Sequence, residues 1–269
     1  MGAMDELGME AVLQPARRGT RRFELSIAQG RTELFEAQRL RYQVFAGELG
    51  ARIDGPFPGI DADLFDAYCE HLVVRDRWTE RLVGTYRLLT AEAARGLGRF
   101  YCESEFDLVR LDPLRPAMVE LGRACVAPEY RSGPVLRLLW SGIGRFLRER
   151  GYRYLIGCAS IDAHDGGHLA ASVYLRLAGE YMAAGRFAAR PHRRLPLEST
   201  VPYLDPELPV LLKGYLRAGA RVCGEPALDE AFGTADLLML LDVSEAAPRY
   251  AERFFGEANA PDERVALPA

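Results

Sequence analysis

Val119-Glu120-Leu121-Gly122-Arg123-Ala124-Cys125-Val126-Ala127, followed by Pro128-Glu129-Tyr130-Arg131-Ser132-Gly133, decides how this chain folds. The first nine residues are apolar and β-branched enough for a strand, yet they carry Glu120 and Arg123. The next six read as a turn, and Pro134 to about Arg150 as a helix. Tyr152–Ser160 (YRYLIGCAS) reads as a second strand. The unit is strand, turn, helix, strand, the signature of an α/β protein. Its turn carries backbone N–H groups and Arg131 to a helix N-terminus, where unpaired donors and the positive dipole end suit a phosphate-bearing ligand. On a regular strand Glu120 and Arg123 face opposite ways, because their spacing is odd. A bulge would change that.

The chain has 269 residues and an ordinary apolar fraction, which fits one large domain with extensions. Residues 1–20 read as a leader, 21–258 as one domain and 259–269 as a tail. The net charge of −4 gives no general case for nucleic-acid binding. Lys213 is the chain's only lysine, so cationic work falls to arginine, which binds phosphate and carboxylate in a bidentate way. Five cysteines (Cys69, Cys102, Cys125, Cys158 and Cys223) form no CxxC pair and read as reduced thiols of a cytoplasmic protein. No run is long and apolar enough for a membrane span, and no signal peptide is visible.

Upstream, Arg21–Ala28 alternates as a strand and Arg31–Leu49 has a helical stripe: Leu34, Gln38, Arg41, Phe45, Leu49. Arg41 lies inside that stripe and must find a partner, reach a cleft or extend to solvent. The following loop holds Asp61, Asp63 and Asp66. It lacks the glycine and closing glutamate of an EF-hand, which argues against calcium. These acids either pair with Arg41 and Arg87 or receive an amine-bearing substrate. Glu70–Asp76 and Arg81–Thr90 form a hairpin, with Arg87 in the second strand. His71 and Asp76 have the HxxxxD spacing of glycerolipid acyltransferases, but strand residues five apart point to opposite faces, so that reading fails.

Downstream, Arg137, Ser141, Arg145 and Arg148 share one helix face, suited to solvent or to an acidic partner. His164, Asp165 and His168 raise a metal site. The intervening Gly166 and Gly167 disfavour the helix that would align them, so no metal is expected. Leu169–Ala184 reads as helix, and Leu208–Ala218 as a shorter one. Ala220–Cys223 and Ala235–Val243 read as strands. The basic stretch Arg186–Arg194 is a solvated loop or a contact for anionic lipid.

Several of these stretches resemble known motifs in a known order. Arg41-Tyr42-Gln43-Val44-Phe45, Asp63 with Asp66, Gly84 to Leu89 and Glu120-Leu121-Gly122-Arg123 are similar to the RYxVF helix, DxxD loop, GxxRLL strand and ELSR strand of acyl-homoserine-lactone synthases. Gly122 stands where that family has serine. The C-terminal half more closely resembles ornithine lipid N-acyltransferases, through Lys213–Arg217, Cys223–Ala227 and Phe232–Asp236. The resemblance runs from about Phe23 to Val243. It implies a GNAT-like fold: a mixed central sheet flanked by helices, with strands splayed at the acyl-donor cleft.

It also implies transfer of a 3-hydroxy fatty acyl group from acyl carrier protein to the α-amine of L-ornithine, giving lyso-ornithine lipid. The donor is a substrate carrying its own phosphopantetheine arm, so no cofactor is expected. In that frame Glu120 is the candidate proton acceptor or the ion-pair partner of Arg123 or Arg87. Asp63 or Asp66 would receive the acceptor's side-chain ammonium, and Arg41 or Arg87 its carboxylate, unless these four brace the cleft. Backbone N–H groups at Cys125, Val126 and Ala127 would meet the oxyanion. Arg131, Ser132 and Gly133, with Arg137 behind them, would hold the pantetheine phosphate. A lone glycine before Pro134 suits one phosphodiester better than the pyrophosphate of acetyl-CoA. Cys125 lacks a histidine base and reads poorly as a nucleophile. An acyl-homoserine lactone, another N-acyl amino acid, or a non-catalytic acyl-carrier or lipid-binding role are the alternatives. Weak peripheral contact with an anionic membrane face is compatible with a lipid product.

Overall fold

The computed structural model describes residues 22–246 and Tyr250. The expected leader 1–20, Arg21, the expected tail 259–269 and most of the stretch beyond residue 246 lie outside the described residues. The strands are β1 Phe23–Ile27, β2 Glu70–Asp76, β3 Arg81–Thr90, β4 Phe106–Asp107, β5 Met118–Val126, β6 Tyr154–Asp162, β7 Arg190–Pro191, β8 Arg221–Val222, β9 Ala227–Asp229 and β10 Thr234–Asp242. The α-helices are α1 Gly30–Tyr42, α2 Ala91–Leu97, α3 Pro134–Arg150, α4 His168–Leu177 and α5 Val210–Ala218. The main sheet has the order β1-β2-β3-β5-β6-β10-β8, with β9 also on β10. Every pairing in it is antiparallel except β5 with β6. A small sheet pairs β4 with β7.

The parallel β5–β6 pair results from the unit read first in the sequence. A crossover helix between two strands makes them parallel neighbours. α3 buries Val135, Leu139, Ile143, Phe146 and Leu147, at helical spacing, against the sheet. Full burial of each such side chain stabilises the fold by roughly 1.5–3 kcal/mol. α3 approaches β3 where Gly84 has no side chain; a Cβ there would sit 2.5 Å from a Val135 methyl group.

Two nine-residue strands would be expected to pair along their length. β5 and β6 pair only from Met118–Glu120 to Tyr154–Ile156, and then diverge. β5 also bulges. Cys125 opposes Thr85 and Gly122 opposes Arg87, so Arg123 and Ala124 together face the single residue Tyr86. Arg123 adopts a left-handed conformation, φ 50°, a strained state for a residue with a Cβ.

Two helices differ from the sequence reading. The helix expected over Arg31–Leu49 is α only to Tyr42 and continues as a π-helical turn, Gln43–Glu48. The wider turn shifts the stripe: Phe45 packs edge-on against Phe232, and Leu49 is left exposed. The helix expected over Leu169–Ala184 ends at Leu177, just before Ala178-Gly179. Glycine there makes continuation costly, and Met182 instead bridges to Val222.

Candidate active site

A cavity of about 820 Å3 opens where β5 and β6 separate. Glu120, Leu121, Gly122, Arg123 and Ala124 line it from β5, and Cys158, Ala159 and Ser160 from β6. A narrow apolar cleft of about 40 Å3 adjoins it, walled by Trp140, Leu155, Met239 and Leu241. Tyr86, Leu121, Cys158 and Tyr215 border both spaces. The Tyr86 and Tyr215 hydroxyls hydrogen-bond to each other at 2.7 Å. At the edge of the split Gly157 lets the two strands stay close: a Cβ there would overlap the Leu121 carbonyl oxygen. Glycine inside a strand marks such a close backbone approach.

The bulge gives the site its chemistry. Glu120 and Arg123 line the same cavity, because the extra residue cancels the odd spacing. Both Glu120 oxygens accept hydrogen bonds, from the Tyr101 N–H at 2.6 Å and the Cys102 N–H at 2.7 Å. Burial pushes its pKa above the usual carboxylate value against the pull of those bonds. The Arg123 guanidinium lies between the rings of Tyr101 and Phe232, 4.8 and 4.7 Å from their centroids. Its Nε is 3.4 Å from an Asp61 carboxylate oxygen, beyond a well-formed hydrogen bond, and is buried without an acceptor.

Beneath Arg123 lies a balanced ion network. Arg41 is fully buried in α1. Its Nε donates to Asp61 at 2.9 Å, and its two terminal nitrogens donate to Asp66 at 2.8 Å each. Arg87 donates to Asp63 at 2.7 and 2.8 Å and to Asp66 at 3.0 Å. Gln38 donates to Asp66 as well, at 2.9 Å. Burial alone would raise the Asp66 pKa; the Arg41 hydrogen bonds and the charges of Arg41 and Arg87 hold it far below the usual value. Three arginines and three aspartates thus neutralise one another, as buried charge requires. The substrate contacts expected of Arg41, Arg87, Asp63 and Asp66 meet this geometry: their donors and acceptors face each other, in the bracing arrangement that was the other reading.

The expected donor-binding residues divide. Cys125 and Val126 lie in the ladder opposite Thr85 and Gly84, and the Ala127 N–H donates to the Val83 carbonyl at 2.9 Å. None of the three lines the cavity; Leu121, Gly122, Arg123 and Ala124 line it instead. Burial pushes the Cys125 thiol up to about 12. Arg131 does line the cavity mouth, with Glu48 paired to its guanidinium. Gly133, at φ 111°, precedes the first turn of α3, where Arg137 is exposed and its guanidinium lies against Gly133. Ser132 is exposed beside it.

Other sequence candidates lie apart. His71 Nε2 meets the Asp66 carbonyl at 3.1 Å, whereas Asp76 accepts from Arg22 and from the Tyr130 hydroxyl. Asp165 caps α4 by accepting from the Gly167 and Leu169 N–H groups, and His168 accepts from the Val201 N–H. Arg193 and Arg194 of the basic stretch pair with Glu230 and Glu198.

One part of the wall escaped sequence reading. Asp236 on β10 and Asp229 on β9 line the cavity, and Glu105 lies behind them. The ligand atoms of Glu105, Cys158 and Asp236 lie within 4.8 Å of one another. Burial, then the other carboxylates, raises the Glu105 pKa strongly; burial also raises that of Asp236. An acid near the start of the apolar run Ala235–Val243, which also holds Asp242 near its other end, was the available signal, of the kind that drew attention to Glu120 on β5.

Residues 40–141 match the acetyltransferase (GNAT) domain family. A solved CoA-dependent acyl-homoserine lactone synthase, BjaI with SAM and isopentyl-CoA, superposes with a TM-score of 0.54 at 15% identity, covering 92% of this chain and 95% of that one. This likeness establishes the fold. Sequence comparison reaches further. The L-ornithine N(alpha)-acyltransferase of Brucella abortus is 36% identical over 254 residues, covering 88% of this chain and 90% of that protein. That of Agrobacterium fabrum is 36% identical over 256 residues, covering 87% and 86%. At this identity, over nearly the full length of both partners, the chain belongs to the L-ornithine N(alpha)-acyltransferase family.

Proposed function

We propose that this protein transfers a fatty acyl group from acyl carrier protein to the α-amine of L-ornithine, the first acylation on the way to ornithine lipid. The kinship with ornithine acyltransferases supports the acceptor and the reaction type. The observation that carries the reading at the site is the split between β5 and β6: a cavity that holds Glu120, Arg123 and Asp236, adjoined by a small apolar cleft. An acyl thioester lying across the split would direct its chain toward Trp140 and Leu155 and its carbonyl toward the acceptor.

The amine nitrogen attacks the thioester carbonyl. A C–N bond forms, the C–S bond breaks, and the proton shed by the amine passes through the proton-accepting carboxylate to the departing thiolate, which leaves as the thiol. A free amine is already a good nucleophile, so positioning and proton removal are what the protein must supply. Glu120, with its raised pKa, is the proposed proton acceptor. N–H groups of the bulged Leu121–Ala124 segment are the proposed oxyanion donors. Arg131 and the Ser132-Gly133 turn, with Arg137, are proposed to meet the phosphate of the pantetheine arm.

No helix among the described residues is long and apolar enough to cross a membrane. Peripheral contact with an anionic membrane face is proposed from the exposed Arg186 and Arg190, together with exposed Leu49 and Val210 at the cavity mouth. Vesicle sedimentation at low and high salt tests it, because such attraction is screened.

The central test is thiol release from 3-hydroxyacyl carrier protein with and without ornithine, in the wild type and Glu120→Gln. Ornithine-dependent release that falls by about 100-fold or more in the variant is expected. Release that survives the substitution removes Glu120 from the chemistry. Release from acyl-CoA but not from the carrier protein would change the donor, and release with another amine only would change the acceptor.

A further inference from the structure

Asp236, Asp229 and Glu105 gather three carboxyl groups at one wall of the cavity without a cation. No arginine, lysine or histidine forms an ion pair with any of them among the described residues. The groups felt by Glu105 are Asp236, Asp229, Glu120 and the Cys158 thiol. Asp236 accepts from the Thr234 hydroxyl at 2.9 Å, and Asp229 from the Ala231 and Phe232 N–H groups at 2.9 and 3.1 Å. Asp236 also shares side-chain hydrogen bonds with Ser160 and with Glu105, so those two carboxyl groups hold a proton between them; none of these contacts brings a cation. This differs from the Arg41–Asp66–Arg87 network, where each acid meets a guanidinium. Buried acids left together without a cation are costly unless a proton or a ligand supplies the charge.

A second observation lies in the same cavity. Arg123 lines it with a buried Nε that has no acceptor, on a residue held at φ 50°. The cavity therefore holds a guanidinium whose Nε has no hydrogen-bond acceptor, beyond its ion pairs with Asp61 and Asp63, and a wall of acids without a cation. An α-amino acid with a basic side chain has the matching polarity: a carboxylate at one end and an ammonium at the other.

Resting on the acceptor reading above, we propose that Asp236 and Asp229, backed by Glu105, hold the side-chain ammonium of the acceptor, and that Arg123 takes its carboxylate. The α-amine then lies between these two anchors, facing Glu120. Selectivity for a diamino acid resides in β9 and β10, and the Asp61–Asp63–Asp66 loop serves as the brace.

The test uses the full chain, an acyl carrier protein thioester, and two acceptors: L-ornithine and L-norvaline, which has the same carbon skeleton without the side-chain amine. The wild type is expected to prefer ornithine in kcat/KM by about 30-fold or more, the scale for leaving charged hydrogen-bonding partners unpaired. Asp236→Asn and Asp229→Asn should each reduce that ratio by about tenfold or more, mainly through KM for ornithine. Equal use of both acceptors by the wild type overturns the ammonium pocket and leaves ornithine acylation standing. A ratio that survives both substitutions does the same. No acylation of ornithine at all overturns the acceptor reading instead. The wild-type comparison stands even if a variant fails to fold, and Glu105→Gln supplies a third substitution. Zinc or calcium chloride is added alone in a thermal-shift assay. Stabilisation by either ion that disappears in Asp236→Asn assigns the cluster to a metal and overturns the proposal.

Discussion

Arg41 and Asp66 meet through two hydrogen bonds of 2.8 Å in the interior, the guanidinium fully buried and the carboxylate nearly so. The pair joins α1 to the loop before β2, and through Arg87 it reaches β3. Removing one partner leaves a buried charge without compensation. Arg41→Ala and Asp66→Asn should each destabilise the fold by about 3–5 kcal/mol. Urea denaturation measures this; a loss below about 1 kcal/mol would mean that the network relaxes or hydrates.

The same acids should make the fold sensitive to low pH. Asp66 is held far below the ordinary carboxyl value of 3.8, and the Arg22 hydrogen bond, with help from the Trp78 N–H and the Tyr130 hydroxyl, holds Asp76 at about 2. A depressed folded-state pKa stabilises the protein above the unfolded value, and that stability is lost as pH falls through the folded one. The urea midpoint should therefore be flat above 3.8 with respect to these groups and fall between 3.8 and about 2. Asp66→Asn with Asp76→Asn should lower the midpoint at neutral pH and flatten this acid slope. An unchanged slope in the double variant would place the acid sensitivity elsewhere.

Gly157 separates stability from chemistry. A Cβ there would overlap the Leu121 carbonyl oxygen, so Gly157→Ala must push β5 and β6 apart at the split. We expect a stability loss of about 1–3 kcal/mol, the scale of overpacking, with a larger proportional fall in acyl transfer. Thermal melting and thiol release on one preparation would show this. Full activity at lowered stability would mean that the split tolerates a shifted strand.

Arg131 gives the opposite pattern. Its pairing with Glu48 is solvent-exposed and should contribute less than about 1 kcal/mol. Arg131→Ala should melt close to the wild type but raise KM for the acyl carrier protein thioester, with little change in KM for ornithine. A change confined to ornithine would remove Arg131 from the donor site.

The Tyr86–Tyr215 hydroxyl pair couples β3 to α5 at the border of the apolar cleft. Tyr86→Phe and Tyr215→Phe should each cost about 1 kcal/mol. The double variant should cost less than their sum, since removing both hydroxyls leaves no orphan. Additive losses would show that the hydroxyls act independently.

The sequence by itself determined the local units. The hairpin Glu70–Asp76 with Arg81–Thr90 matches β2 and β3 in its bounds, because alternation and the intervening turn are encoded within a few residues. The strand, turn and helix from Val119 to Arg150 were equally legible, with Pro134 opening α3 and Gly151 closing it. Arg41 and Arg87 drew attention as charges inside apolar patterns, but their partners lie in a loop that only the fold brings beneath them. The bulge at Arg123 and Ala124 depends on β3 packing beside β5, and no local pattern encodes it. Asp229 and Asp236 are neighbours through the β9–β10 pairing, but Glu105 is more than a hundred residues away in the chain and meets Asp236 only in the fold. Short-range physics writes strands and turns into neighbouring residues. Which charges neutralise one another, and which are left for a substrate, is decided by long-range packing.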